Sequence, residues 1–192
     1  MPIWVYDAPM RRLIYSMAVS LDGYIAGPDG RIDWFAPDEE LHRFHNAQTK
    51  EVGTQLMGRR LYEAMLPWET EQQHGNTRTE FADIWSAIPK VVFSTTLSEV
   101  QGNARLAEGS VAEEVARLKA QPGKDISVGG AGLAASMIPL GLIDEYRLFV
   151  NPVVLGGGTS FFPAVPEPLE LELLETRTFG SSVVYLRYRR AG

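Results

Sequence analysis

The sequence predicts an α/β fold: one mixed sheet of roughly eight strands, parallel at first with helices on both faces, and antiparallel at its C-terminal edge. Three observations predict it. From residue 12 to about 137, nearly continuous apolar runs, the pattern of strands buried on both faces, alternate with segments of helical period. Residues 125–162, DISVGGAGLAASMIPLGLIDEYRLFVNPVVLGGGTSFF, read as strand, glycine turn, compact helix and second strand. The last two runs, 169–179 and 182–189, alternate apolar with polar residues around Gly180-Ser181, as an antiparallel hairpin does.

Each element follows in order. Residues 12–20 (RLIYSMAVS) form a buried central strand, and 21–30 a turn-rich loop with a small apolar centre. Pro37-Asp38-Glu39-Glu40 sets acids in the first turn of a helix running to about Lys50, with Leu41, Phe44 and Ala47 or Gln48 on one face. Residues 52–57 are a strand, and Gly58-Arg59-Arg60-Leu61-Tyr62-Glu63 opens a short helix ended by Pro67. Residues 69–80 lack periodicity and read as a surface loop. Phe81, Ile84, Trp85 and Ile88 recur at i, i+3, i+4, i+7 and make a helix closed by Pro89. Residues 90–94 are a buried strand running into Thr95-Thr96, and 103–106 a further one. Ser110-Val111-Ala112-Glu113 is a capping box for a helix that ends before Pro122-Gly123. Residues 126–128 and 146–154 are the strands of the late βα unit, the second ending in Gly156-Gly157-Gly158.

Composition narrows the function classes. The chain of 192 residues suits one domain, expected from residue 12 onward, with 1–11 as an extension. A net charge of −6 without any basic run argues against a nucleic-acid partner. The absence of cysteine excludes disulfides, thiolate chemistry and cysteine metal sites. Residues 126–143 are uncharged over the length of a membrane span, but four glycines, Pro139 and two serines make a poor one. Asp7 and Pro9 break the N-terminal apolar stretch, so no signal peptide is read there. The expectation is a cytoplasmic protein with no membrane partner.

Chemistry-bearing residues cluster at strand ends. A strand running into Gly129, Gly130 and Gly132 at a helix start suits a phosphate: glycine lets the backbone approach, and free N–H groups point outward. The same turn equally fits tight packing, and its late position argues against a dinucleotide-binding fingerprint that opens a parallel sheet. Gly58-Arg59-Arg60 ends another strand with two guanidinium groups, and Ser94-Thr95-Thr96 ends a third with hydroxyls. Three strands thus end in turns that one dinucleotide would use. Glu39, His42 and His45 share a helix without metal-ligand spacing and read as solvated surface, so no metal is expected. Ser16, Ser136 and Ser160 lack the setting of a serine nucleophile.

These residues carry a resemblance. The chain resembles the dihydrofolate reductase-like superfamily, in the branch of the reductase domain of the riboflavin-biosynthesis deaminase-reductase. The matching segments are MAVSLDGYIAG (17–27), MGRRLYE (57–63), VVFSTT (91–96), VGGAGLAASM (128–137) and GLIDEYRLFVNPVVLGGG (141–158). The resemblance implies a three-layer α/β/α fold and an NADPH-dependent reductase in which the cofactor supplies the chemistry. By position Ala18, Ile25 and Ala26 would flank the nicotinamide. Gly58, Arg59, Arg60, Ser94, Thr95 and Thr96 would hold the adenosine phosphates, and Gly129, Gly130, Ala131, Gly132 and Leu133 the pyrophosphate. The substrate would lie among Asp22, Trp34, Glu40 and Phe44, and no catalytic side chain is assigned.

The implied activity is most like reduction of 5-amino-6-(5-phosphoribosylamino)uracil, with reduction of dihydrofolate or another pterin as one alternative and non-catalytic nucleotide binding as a second. Two departures bear on this. Ser127-Val128 stands where the riboflavin reductases carry an acidic residue before the glycine pair, and no deaminase segment is present. The resemblance and the apolar run at 149–162 also lead to the expectation of a homodimer through that segment.

Overall fold

The computed structural model describes residues 10–70 and 75–191. In chain order its elements are β1 (Leu13–Ser20), β2 (Tyr24–Ala26), α1 (Glu39–Lys50), β3 (Val52–Gly58), α2 (Arg59–Met65), α3 (Pro67–Thr70), α4 (Asn76–Ala87), β4 (Lys90–Phe93) and β5 (Ala104–Leu106). Then follow α5 (Val111–Lys119), β6 (Asp125–Gly129), α6 (Ala131–Met137), β7 (Glu145–Asn151), β8 (Thr159–Ser160), β9 (Leu171–Thr178) and β10 (Val184–Arg190). Eight strands make one sheet in the order β5-β4-β3-β6-β1-β7-β10-β9. The first six run parallel, and β10 pairs antiparallel with both β7 and β9.

Period-two alternation gives the two faces different characters. Leu13 and Tyr15 of β1, Leu56 of β3, Ile126 and Val128 of β6 and Tyr146 of β7 pack in one cluster with Val115 and Leu118 of α5 and Ala134 and Met137 of α6. The opposite face holds Phe149 and Tyr185 against Leu41 of α1, and Met57 and Val92 against Tyr62 and Trp85. Helices thus cover both sides, the three-layer arrangement that the sequence implied. Asp38 caps α1 by accepting from the Leu41 N–H at 2.9 Å, and the Ser110–Glu113 capping box forms at α5.

One buried carboxylate joins the parallel half to the antiparallel edge. Glu145, 1% exposed, accepts from Arg147 Nε at 2.6 Å, from Arg187 at 2.8 and 3.0 Å, and from Arg12 at 2.9 Å. Burial pushes its pKa up, but the hydrogen bonds and charges of Arg187 and Arg147 outweigh that and hold it below the usual carboxylate value.

Several expectations are corrected. Residues 69–80 are not all loop: Pro67 opens α3, and α4 begins at Asn76. Its polar first turns carry no periodicity because they are held from outside, Asn46 of α1 donating to the Thr77 carbonyl and to Glu80 at 2.9 Å each. Residues 71–74 of that stretch lie outside the described residues. The 21–30 loop contains β2, which pairs with β8. β7 stops at Asn151, ahead of Pro152, rather than at 154. Arg11 belongs to the fold, donating to the Lys124 carbonyl at 2.5 Å and to Thr54 at 2.8 Å.

Part of the apolar run at 149–162 packs within the chain, while Val154 is 66% exposed. β7 lies inside the sheet, Phe149 and Phe161 are buried, and Phe161 stacks on Tyr15 at 4.1 Å. The edge strands are β5 and β9.

Removing Glu145 leaves three guanidinium groups around a buried gap. Glu145→Ala is expected to destabilise the fold by about 3–5 kcal/mol, read as a lower urea midpoint with unchanged slope. A loss under about 1 kcal/mol, the size of a surface ion pair, would show that the cluster is not a buried tie.

Candidate functional site

The face of the sheet toward α1 is not apolar throughout. A cleft of about 320 Å³ lies over it, floored by Ser16 and Ala18 of β1, Gln55 of β3, Ser127 and Gly129 of β6 and Arg147 and Phe149 of β7. His45, Gln48 and Thr49 of α1 close one side, and Ile25, Ile32, Trp34 and Phe35 come from the chain between β1 and α1. Leu61, Met65, Phe81 and Trp85 line the far end. The polar floor follows from strand register: Gln55 pairs with Ser127, Ser16 with Arg147, and Arg147 with Arg187. A second hollow shares Ile32, Phe35, His45 and Phe81, and adds Asp38, Glu39, His42 and Arg78 at its rim.

Burial dominates the electrostatics here. His45 packs against Phe149 with ring centroids 4.1 Å apart, and its Nε2 is buried without a partner among the described residues. Burial, with His42 adding a smaller push, lowers its pKa to about 4, so the imidazole is neutral at pH 7. The expectation of a solvated helix surface therefore fails at His45. Trp34 Nε1 is likewise buried and unpartnered. Gln48 accepts from Arg147 Nη1. No group of three or more metal-ligating side chains occurs among the described residues.

A separate cavity of about 580 Å³ lies at the carboxyl ends of the strands, lined by Arg59, Ser94, Thr95, Thr96 and Gly109 among others. Arg59 donates to Thr96 Oγ1 at 2.9 Å and to Glu63 at 2.7 Å. Ser94 Oγ accepts from the Thr96 and Leu97 N–H groups at 3.2 and 3.0 Å. Arg60 is exposed and makes no hydrogen bond or ion pair among the described residues. Gly130 adopts φ +89°, a conformation that favours glycine, and a Cβ on Gly129 would run into Leu61. Gly58 and Gly132 face open space. Because β1, β3, β4 and β6 are parallel, all these turns share one sheet edge with the cleft.

The remaining sequence-predicted residues divide. Ala18, Ile25, Trp34 and Gly129 line the cleft. Ala131 is buried, Leu133 packs on the main core, and Ala26 pairs with Thr159. Asp22 is turned to structure: its carboxylate accepts from the Leu155 and Gly156 N–H groups at 3.1 and 2.8 Å. The Ser20 hydroxyl and those backbone donors lower its pKa to about 2. Glu40 pairs with Arg177 at 3.0 Å and accepts from Gly180 N–H at 3.2 Å. Phe44 sits among Phe149, Phe179 and Tyr185, with centroids 6.0, 5.1 and 5.0 Å away. Sequence reasoning missed His45, Gln48, Gln55, Ser127 and Arg147. The signal was present: Ser16, Gln55, Ser127 and Arg147 interrupt strands that should be apolar if buried on both faces.

Comparison with known proteins agrees with this geometry. Residues 11–185 match the family described as the RibD C-terminal domain. The uncharacterised protein YyaP of Bacillus subtilis is 38% identical over 185 residues, covering 95% of this chain and 96% of that protein. Among solved structures, a candidate riboflavin biosynthesis protein from Shewanella sp. PV-4 superimposes with a TM-score of 0.77 at 24% identity, covering 95% of this chain and all of that one. Dihydrofolate reductase from Enterococcus faecalis, complexed with NADP(H), superimposes with a TM-score of 0.64 at 19% identity over 94% of this chain and 97% of its own.

The depressed His45 pKa links stability to pH. Between about 6.5 and 4 the unfolded chain binds a proton that the folded one refuses, so stability falls as pH falls through that window. The shift corresponds to about 3 kcal/mol at its full extent. His45→Gln is expected to flatten this limb in urea titrations between pH 7 and 4, and the His45 ring protons should not titrate between pH 5 and 8. A ring that titrates near 6.5 would mean that the imidazole is solvated.

Proposed function

The chain belongs to the RibD C-terminal domain family, and from that premise we propose that it is an NADPH-dependent reductase of a small planar heterocycle. The observation that carries the proposal is that the cleft, which reaches Gly129, and the cavity at Arg59 and Ser94–Thr96 lie at the same end of the parallel strands. The cavity at Arg59, Ser94, Thr95 and Thr96 suits the adenosine phosphates: it combines hydroxyl donors with a guanidinium. Gly58 and Gly132, open above their Cα atoms, leave room for a phosphate backbone to approach. Ala18 and Gly129 are the small residues of the cleft floor, where a flat ring needs clearance. The fold of the NADP(H)-bound Enterococcus faecalis reductase supports the same cofactor class.

When bound, the cofactor supplies a hydride. The chain's own contribution is positional. Ile25, Trp34, Phe35 and Phe149 exclude water from the cleft, which strengthens every polar interaction inside it. Neutral His45 and the hydroxyls of Ser16 and Ser127 can exchange hydrogen bonds with a ring without adding charge.

NADPH and NADH differ only at the 2′-phosphate, and we assign the preference between them to Arg59 and Arg60. One charge-assisted hydrogen bond, about 1.5–3 kcal/mol, corresponds to a preference of roughly 10- to 150-fold, and exposure moves it toward the lower figure. Arg60→Ala is expected to weaken NADPH about 10-fold in fluorescence titrations while leaving NADH nearly unchanged. Arg59→Ala should cost less, because Glu63 and Thr96 already engage that side chain. Equal affinity of the native protein for both cofactors, or equal losses in both variants, would defeat the assignment.

A further inference from the structure

One buried ion pair turns its positive end into the cleft. Arg147, 8% exposed, lines the cleft, whereas Glu145, Arg12 and Arg187 do not, and Glu145 borders a separate hollow with Arg12 and Arg189. The guanidinium is held at two points, Nε donating to Glu145 at 2.6 Å and Nη1 to Gln48. Its Nη2 makes no hydrogen bond among the described residues, yet it is not shut away as Trp34 Nε1 and His45 Nε2 are. Every other described side chain of the lining is uncharged at pH 7, His45 included. Strand register sets the depth of this charge. Ser16 pairs with Arg147 and Ala18 with Phe149, so Arg147 stands two residues, roughly 7 Å, further from the carboxyl-end rim than Phe149. A ring that enters from that rim past Ala18 meets Arg147 with its far edge.

We infer that Arg147 is a catalytic residue whose guanidinium stabilises the negative charge that an uncharged ring gains when hydride reaches it. The inference rests on the reductase reading and goes beyond it by fixing the order of events. Hydride leaves the C–H bond of a reduced nicotinamide, which is thereby oxidised. Its electron pair comes to rest as one negative charge on a heteroatom of the ring, and a proton from water then neutralises that atom. A ring protonated before the hydride arrives is a cation set against a cation in surroundings of low polarity, and no carboxylate among the described residues lines the cleft to hold it. A donor fixed in place before the charge develops needs no reorganisation as it forms, and Glu145 and Gln48 fix this one.

Three planar probes of different charge test this without turnover: the anion of 2-hydroxy-1,4-naphthoquinone at neutral pH, its uncharged methyl ether, and the N-methylquinolinium cation. Calorimetric titration of the purified protein is expected to rank them anion, ether, cation. The anion should bind roughly 10- to 150-fold tighter than the ether, the size of one charge-assisted hydrogen bond. Arg147→Met should remove that gap and tighten the cation, whereas a fold merely loosened by the substitution weakens all three. Arg147→Lys should restore part of the gap. Supplied with NADPH, the Met variant should reduce the ether more slowly by a similar factor while its Kd for NADPH stays unchanged. Near-UV circular dichroism identifies a variant that fails to fold, in which case the ranking by the native protein decides. Equal binding of anion and ether, a tighter cation, or binding of none of the three overturns the inference. So does a gap that survives Arg147→Met, or an ether reduced equally fast by native protein and variant. A protein that binds NADPH without preferring the anion loses only this inference. One that prefers the anion but binds no NADPH loses the reductase reading, and the hydride step with it.

Discussion

The buried Glu145 carboxylate is the interaction on which the geometry of this protein turns. It sits at the first position of β7, the strand where the parallel sheet gives way to the antiparallel edge, and it gathers Arg12, Arg147 and Arg187 from outside, within and beyond that strand. A carboxylate so thoroughly desolvated is tolerated because every lone pair is engaged by a charged donor. The same arrangement fixes the direction of Arg147, whose Nε is held toward Glu145 so that the rest of the guanidinium lies in the cleft. Fold stability and site geometry are therefore one problem at this position. A change that repacks β7 against β10 also moves the guanidinium that lines the cleft.

A second constraint is topological. Six parallel strands bring their carboxyl ends to one edge, so every turn that follows β1, β3, β4 and β6 is delivered to the same rim whatever its local sequence. What the sequence chooses is the chemistry of each turn: glycines after β6, a glycine and two arginines after β3, hydroxyls after β4. The turn after β1 is treated differently. Asp22 accepts from Leu155 and Gly156, and a Cβ on Gly158, whose φ is +123°, would collide with the Ala26 carbonyl. The triple glycine is thus a clamp that holds the β1–β2 segment in place, carrying Ile25 into the cleft wall.

Much of this was legible in the residues. Nearly every strand and helix announced itself by period or capping, and the turns at the carboxyl ends of the strands by glycine, arginine and hydroxyl. The cleft was harder for a physical reason. On α1, neighbouring positions point about 100° apart, so an assignment one residue out selects a different face. Phe44 fills the core beside Tyr185, whereas His45 faces the cleft. Acidity at the helix start misled in the same way, since Glu40 is spent on Arg177 and Gly180. Residues 69–80 hid α4's first turns because tertiary contacts from Asn46, rather than amphipathic period, hold them.

The more informative sequence signal was the polar residue out of place. A strand buried on both faces has no thermodynamic reason to carry serine, glutamine or arginine unless a partner or a ligand receives their hydrogen bonds. Four such residues, on four different strands, fall on the same face and into one cavity once the sheet is assembled. No single strand reveals this, because their neighbourhood exists only through register. In surroundings of low polarity a guanidinium acts over the whole cavity, and Arg147 does so as part of a cluster in which three guanidinium groups share the Glu145 carboxylate. Arg147 is thereby the one charged side chain among the described residues lining the cleft, and the carboxylate behind it fixes where its guanidinium lies.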